Sequence, residues 1–187
     1  MTLFEMKKKV LGLIEELNEE SEFLTNDPDI KNKINDVINQ KLFELARMKK
    51  IPRYTEIEVN EGELLDFEKI EDKSGSKVYQ INLVKGVDYE FKAQGTVIKA
   101  LDSGTMEIEF FIYPERITES TSDEGYEFEL SDDALEIMPY GVAGDLLMSD
   151  ESASFGSVYT SRYENMKQEL DPRYNMTSIS VEGGVYI

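Results

Sequence analysis

Residues 130–171 read LSDDALEIMPYGVAGDLLMSDESASFGSVYTSRYENMKQELD, and the period of their apolar residues decides the fold. Leu135, Met138, Val142 and Leu146 recur at three and four residues. Ile137, Tyr140, Ala143 and Leu147 widen that line, so the spacing predicts a helix buried on most sides. Ser131 is its expected N-cap, with Asp132 and Asp133 in the first turn, where the helix dipole favours anions. Pro139 falls inside the helix, where a kink is expected. Gly141 and Gly144 allow close backbone approach and predict a soft region in which the core bends to fit a neighbour. After a polar break at 149–153, a second helix is expected from about Ser154 to Leu170. Phe155, Tyr159, Tyr163, Met166 and Leu170 are placed on its one face, with Val158 and Arg162 beside it. These aromatics serve either as core or as a subunit interface, where Tyr and Arg are favoured anchors.

Two more helical stripes precede this stretch. Leu3, Met6, Val10, Leu13, Ile14 and Leu17 predict an amphipathic helix over residues 2–20. Its charges sit in the middle and at the end, which is unlike a secretory leader. Asp27-Pro28 starts a second helix running to about Lys50, with Asp as N-cap and Pro at the first helical position. Pro52 is expected to stop it. These two helices read as an antiparallel hairpin that needs a further partner to bury both stripes.

At Tyr54 the period changes from 3.6 to 2. Strands are expected at 54–59, 77–84, 87–92, 96–101, 105–113 and 125–130, separated by turn signals such as Lys85-Gly86 and Asp102-Ser103-Gly104. Tyr79, Ile81 and Leu83 are placed on one buried face, as are Met106, Ile108, Phe110 and Ile112. The opposite face is wet and acidic. The expected class is therefore α+β. A helical bundle, made of two N-terminal helices and two late ones, carries an inserted antiparallel β-sandwich or barrel and a β-capable C-terminal arm. The expected divisions are 1–53, 54–129, 130–171 and 172–187. The arm contains Tyr174, Ile179, Val181 and Tyr186, and either folds back or adds to a neighbour.

Composition bounds the chemistry. The 187 residues include no Cys and no His, which excludes thiolate catalysis, disulfides, His bases and His or Cys metal sites. No phosphate-binding or nucleophile-elbow motif is present. Carboxylate pairs such as Glu107/Glu109 lie on strand faces turned to solvent. A calcium loop at Asp123–Glu124 lacks the pattern such loops show. No catalytic, cofactor or metal residue is assigned, and no enzyme is expected. The net charge of −19 falls wholly after residue 53, because residues 1–53 hold ten basic and ten acidic side chains. So acidic a surface repels phosphate, which argues against specific nucleic-acid binding and suits a surface past which DNA slides. No apolar run is long enough to span a membrane.

The run from Tyr113 to Leu170 resembles the head–tail adaptor, or connector, proteins of tailed bacteriophages. The residues that carry the likeness are Tyr113-Pro114-Glu115-Arg116-Ile117-Thr118, Ser122-Asp123, the acidic helix start with Ala134, and MPYGVAGDLLMSD at 138–150. A "YxxA…LL" helix (Tyr140, Ala143, Leu146, Leu147) and a following helix with Tyr159, Arg162 and Tyr163, ending at Leu170-Asp171, complete it. The resemblance implies a structural virion protein at the neck, made in the host cytoplasm. It implies a homo-oligomeric ring, commonly a dodecamer, under the portal protein and above a tail or neck protein. Such a ring extends the channel for DNA without binding it specifically. Tyr140, Phe155, Tyr159, Arg162, Tyr163, Tyr174, Ile179, Val181 and Tyr186 are the expected interface residues. Other readings are a different tail-completion or baseplate component, or a monomeric ligand-binding β-module.

Overall fold

A computed structural model describes residues 1–21, 23–75, 77–148 and 153–170. It is an α+β protein whose chain divides into two compact units, residues 1–49 with 117–187, and residues 50–116. The insertion is thus shorter than the sequence predicts: it closes at 116, not at 129.

In the helical unit, α1 spans Leu3–Leu13. A capping box starts it: the Thr2 N–H donates to Glu5 Oε2 at 2.9 Å, and the Glu5 N–H donates to Thr2 Oγ1 at 3.2 Å. The helix stops well short of residue 20. Ile14 is its C-cap, and Glu15 follows with φ of 62°. The Glu16 N–H then donates back to the Leu11 carbonyl at 2.9 Å, the long bond of a Schellman stop. A glutamate fills the left-handed position that glycine usually takes, so no glycine marks the end. Helix α2 spans Pro28–Met48, and Asp27 Oδ1 accepts from the N–H groups of Asp29 and Ile30 at 2.7 and 3.2 Å. Its start and end fall within two residues of those expected.

Residues 125–130 do not form a strand. Phe128 and Leu130 are buried, as the alternation predicts, but the backbone pairs with the start of α1. The first-turn N–H groups of Leu3 and Phe4 donate to the carbonyls of Tyr126 and Asp123 at 3.0 and 2.9 Å. These are donors that a helix start leaves without internal partners. Lys7 Nζ adds an ion pair to Asp123 at 2.8 Å. The buried Asn39 side chain of α2 holds the re-entering chain at Ile117. Its Nδ2 donates to the Ile117 carbonyl at 2.8 Å and its Oδ1 accepts from the Ile117 N–H at 2.9 Å.

The last two helices of this unit are the long apolar one, Asp132–Leu147, and the aromatic one, Ala153–Leu170. The apolar helix buries ten residues, two of them glycines, and packs against α1, α2 and the aromatic helix. It is the further partner that the stripes of both N-terminal helices need.

In the other unit, β1 (Ile51–Val59), β6 (Gly104–Ile112) and β3 (Val78–Lys85) form one antiparallel sheet with β6 central. Strands β2 (Leu64–Asp66), β5 (Val97–Ala100) and β4 (Tyr89–Lys92) form a second. Among the described residues the strands thus make two three-stranded sheets, with no closed barrel. Pro52 lies inside β1, where an edge strand tolerates its missing N–H. A short helix, α3 (Phe67–Ser74), is capped by Asp66 and ended by left-handed Gly75. The sequence reading places no element there: with eight residues and Ile70 its one deeply buried described side chain, the helix is too short for a stripe of several turns. With it numbered, the two late helices are α4 and α5.

Candidate functional site

The seam between α4 and α5 begins with small residues. A Cβ on Gly141 would lie 2.9 Å from the Tyr163 ring, and one on Gly144 would lie 2.5 Å from Thr160 Oγ1. A Cβ on Gly156 of α5 would meet the Gly144 carbonyl oxygen and Leu147 Cβ, each at 3.1 Å. Separations of 3.0–3.4 Å are already crowded, so the three glycines let the two backbones approach closely. The close backbone approach expected at Gly141 and Gly144 is thus made to α5. Their open space is filled by α5 of the same chain. Gly156, Tyr163 and Leu170 are the residues α5 buries, at spacings of seven, which defines a narrow contact stripe.

Tyr163 is fully buried, with its hydroxyl lacking a hydrogen-bond partner among the described residues. It is a core residue and is withheld from any neighbour, contrary to its expected interface role. Burial first, and then the negative charge of Glu44, push its phenol pKa far above the ordinary value. Ammonium groups flank its ring: Lys41 Nζ and Lys167 Nζ each lie 5.0 Å from the centroid. Both reach Glu44, Lys167 at 2.6 Å and Lys41 at 3.6 Å, and Lys41 also meets Asp145 at 2.9 Å. Burial alone would raise the Glu44 pKa; the hydrogen bond from Lys167 and the charge of Lys41 outweigh it, and the net shift is downward.

On the flank beside this stripe stands an aromatic ladder. The Tyr159 and Tyr140 rings stack at 6.4 Å and 26°. Tyr159 Oη donates to the Leu13 carbonyl at 2.6 Å, satisfying one of the open acceptors at the end of α1. The Arg162 guanidinium sits 4.1 Å from the Tyr140 centroid, within cation–π range. Beyond the ladder, Phe155 and Val158 are 67% and 63% exposed. Positions 155, 158 and 162 follow each other along one side of a helix. The result is an apolar strip ending on a fixed cation, and within the described residues no side chain covers its two apolar members.

Of the expected interface residues, the structure therefore gathers Tyr140, Phe155, Tyr159 and Arg162 and separates Tyr163 into the core. Tyr174, Ile179, Val181 and Tyr186 lie outside the described residues. Phe155 does not share the packed face with Tyr163 and Leu170, because the true contact stripe is set by Gly156, a residue too small to register as apolar periodicity. Among the described residues, no three acidic side chains gather as a metal-holding group. No helix among them is long and apolar enough to cross a membrane. Compared with known proteins, the sequence matches no family model and no curated protein.

Proposed function

We propose that this chain is a structural virion protein, a head–tail adaptor whose copies form a ring under the portal of a tailed bacteriophage. The observation that carries the reading is the strip of Phe155, Val158 and Arg162, exposed on α5 and backed by the Tyr140–Tyr159 stack. A rigid aromatic base holding an Arg beside uncovered apolar side chains is the composition of an interface hot spot. Ring closure needs one such patch to meet a different surface of the next copy. The net charge of −19 supports the same reading, since a DNA channel must not adhere to its cargo. The absence of His and Cys from the sequence is no handicap for a part that joins and conducts without catalysing. Residues 174–187 serve in this reading as an arm that embraces a neighbouring copy or the portal.

Locating the chain in the intact particle tests the proposal. Labelled copies at the head–tail junction, in rotational multiples around the channel axis, are the expected result. A position on the baseplate or tail tip, or a copy number of one, removes it.

A further inference from the structure

The outer face of the β1–β6–β3 sheet carries a second surface, on the other unit and independent of the α5 strip. Two cross-strand rows define it. In one, Tyr54 of β1 and Leu83 of β3 lie on either side of Glu109 of β6; in the other, Glu56 and Lys85 lie on either side of Glu107. Residues directly opposite one another share a face of the sheet, so all six side chains stand on the same side. Together they line an open groove of about 330 Å³.

Leu83 is there because β3 is irregular. Register shifts between Val78 and Gln80 and between Ile81 and Leu83 break the strict alternation. Val78, Ile81 and Val84 turn to the core, and Leu83 is left on the outer face, 40% exposed. This overturns the expectation that Tyr79, Ile81 and Leu83 share one buried face. Bulges of this kind re-aim side chains at functional surfaces. Tyr54 is 74% exposed, more than any other large hydrophobic residue among those described.

The floor is electrostatically unfavourable as it stands. Glu56 and Glu107 are direct cross-strand partners, and like charges so placed destabilise a sheet. Among the described residues neither carboxylate has an ion pair, although Lys85 stands opposite Glu107. Glu109, in contrast, is oriented by Asn82, whose Nδ2 donates to its Oε1 at 2.9 Å. The groove thus presents, beside two apolar walls, an acidic pair with no ion pair among the described residues and Lys85 at its edge, and the walls stand about 10 Å apart, twice the inter-strand spacing.

We infer that this groove docks a basic peptide segment of a different protein, one in which a Lys or Arg is flanked by apolar side chains. The cation would sit over Glu56 and Glu107, and its apolar neighbours against Tyr54 and Leu83. A second copy of this chain is disfavoured as occupant because its net charge is −19. A peptide is preferred to a compact small molecule because the groove is a partly open trough on a sheet face, whereas ligand pockets bury most of a small molecule's surface. The groove lies wholly within residues 50–116, on a different unit from the α5 strip.

The test uses the full chain and a fluorescein-labelled synthetic octapeptide of alternating Arg and Leu, followed by anisotropy at physiological salt. Octapeptides alternating Arg with Ser and Glu with Leu serve as comparisons. The Arg–Leu peptide should bind, the Arg–Ser peptide roughly tenfold more weakly, and the Glu–Leu peptide not at all. The pair of changes Glu56→Gln and Glu107→Gln, and separately Tyr54→Ala, should each weaken binding by about tenfold or more while the melting temperature holds. The pair Glu136→Gln and Glu169→Gln, which lowers the charge equally on the other unit, should leave it unchanged. Equal loss from both carboxylate pairs would mean general attraction to an acidic protein and would overturn the inference. So would equal binding of the Arg–Leu and Arg–Ser peptides, no binding at all, or binding indifferent to Tyr54.

Discussion

Tyr163 shows how one side chain can be apolar in one half of its surroundings and electrostatic in the other. Its ring fills the space left open by Gly141, while its hydroxyl is buried near the Glu44 carboxylate and, among the described residues, lies outside good hydrogen-bond geometry. The packing and the hydroxyl therefore separate in mutants. Tyr163→Ala should cost about 3–5 kcal/mol in chemical denaturation, as large aromatic truncations do. Tyr163→Phe should change stability by no more than about 1 kcal/mol, and in the favourable direction, because it removes an unpaired buried group. The phenol pKa is raised in the fold, so its contribution is intact below the ordinary value and is lost as pH rises beyond it. Tyr163→Phe should then unfold less steeply than the wild-type chain in the alkaline range. A wild-type-like alkaline slope in that variant would show that the hydroxyl is not held neutral by its surroundings.

Among the elements, those with strong periodicity at both ends were legible and those ended by an unusual residue were not. Helix α2 is bracketed by Asp27-Pro28 and a cationic end, and its limits could be read from residue types. Helix α1 continues its apolar spacing through Leu17, yet the chain leaves the helix at Glu15. Nothing in a glutamate signals a left-handed conformation. Glu15→Gly should for that reason stabilise the protein by about 0.5–1 kcal/mol, relieving the Cβ strain at φ of 62°. A destabilised variant in denaturant titration would mean that the Glu15 side chain contributes more than its backbone costs. In β3 the expected alternation fails because bulges shift its phase, and bulges leave no residue-type mark. The 125–130 segment has strand-like alternation but pairs with a helix start, since the open donors of α1 compete successfully with a sheet edge. Within the candidate site, Tyr140, Tyr159 and Arg162 could be found from their spacing. The partner of Tyr163 could not, because a glycine's role as a receptacle appears only when the facing side chain is known.

For the whole molecule, two units built from one chain keep separate surfaces, an aromatic strip on the helical unit and an acidic groove on the sheet. The α2–α4–α5 contact is electrostatic as well as apolar. Glu44 is held below its ordinary pKa against the raising effect of burial, by its hydrogen bond to Lys167 and the charge of Lys41. A depressed carboxylate stabilises the fold above the unfolded value, 4.5, and that stability is lost as pH falls through the lower folded value. Glu44→Gln should therefore be less stable at neutral pH and should lose less on acidification below that value. Equal acid sensitivity in both proteins, by thermal melting from pH 6 to 3, would mean that other carboxylates carry the acid limb.

The most direct test of the central claim is the solution mass of the full chain, measured across concentration, for the wild type and for Phe155→Asp with Val158→Asp. Both residues are exposed, so the double variant should melt as the wild type does. The account predicts a concentration-dependent oligomer in the wild type and a monomer in the variant. A wild-type chain that stays monomeric throughout, or an oligomer that survives both charges, would contradict it.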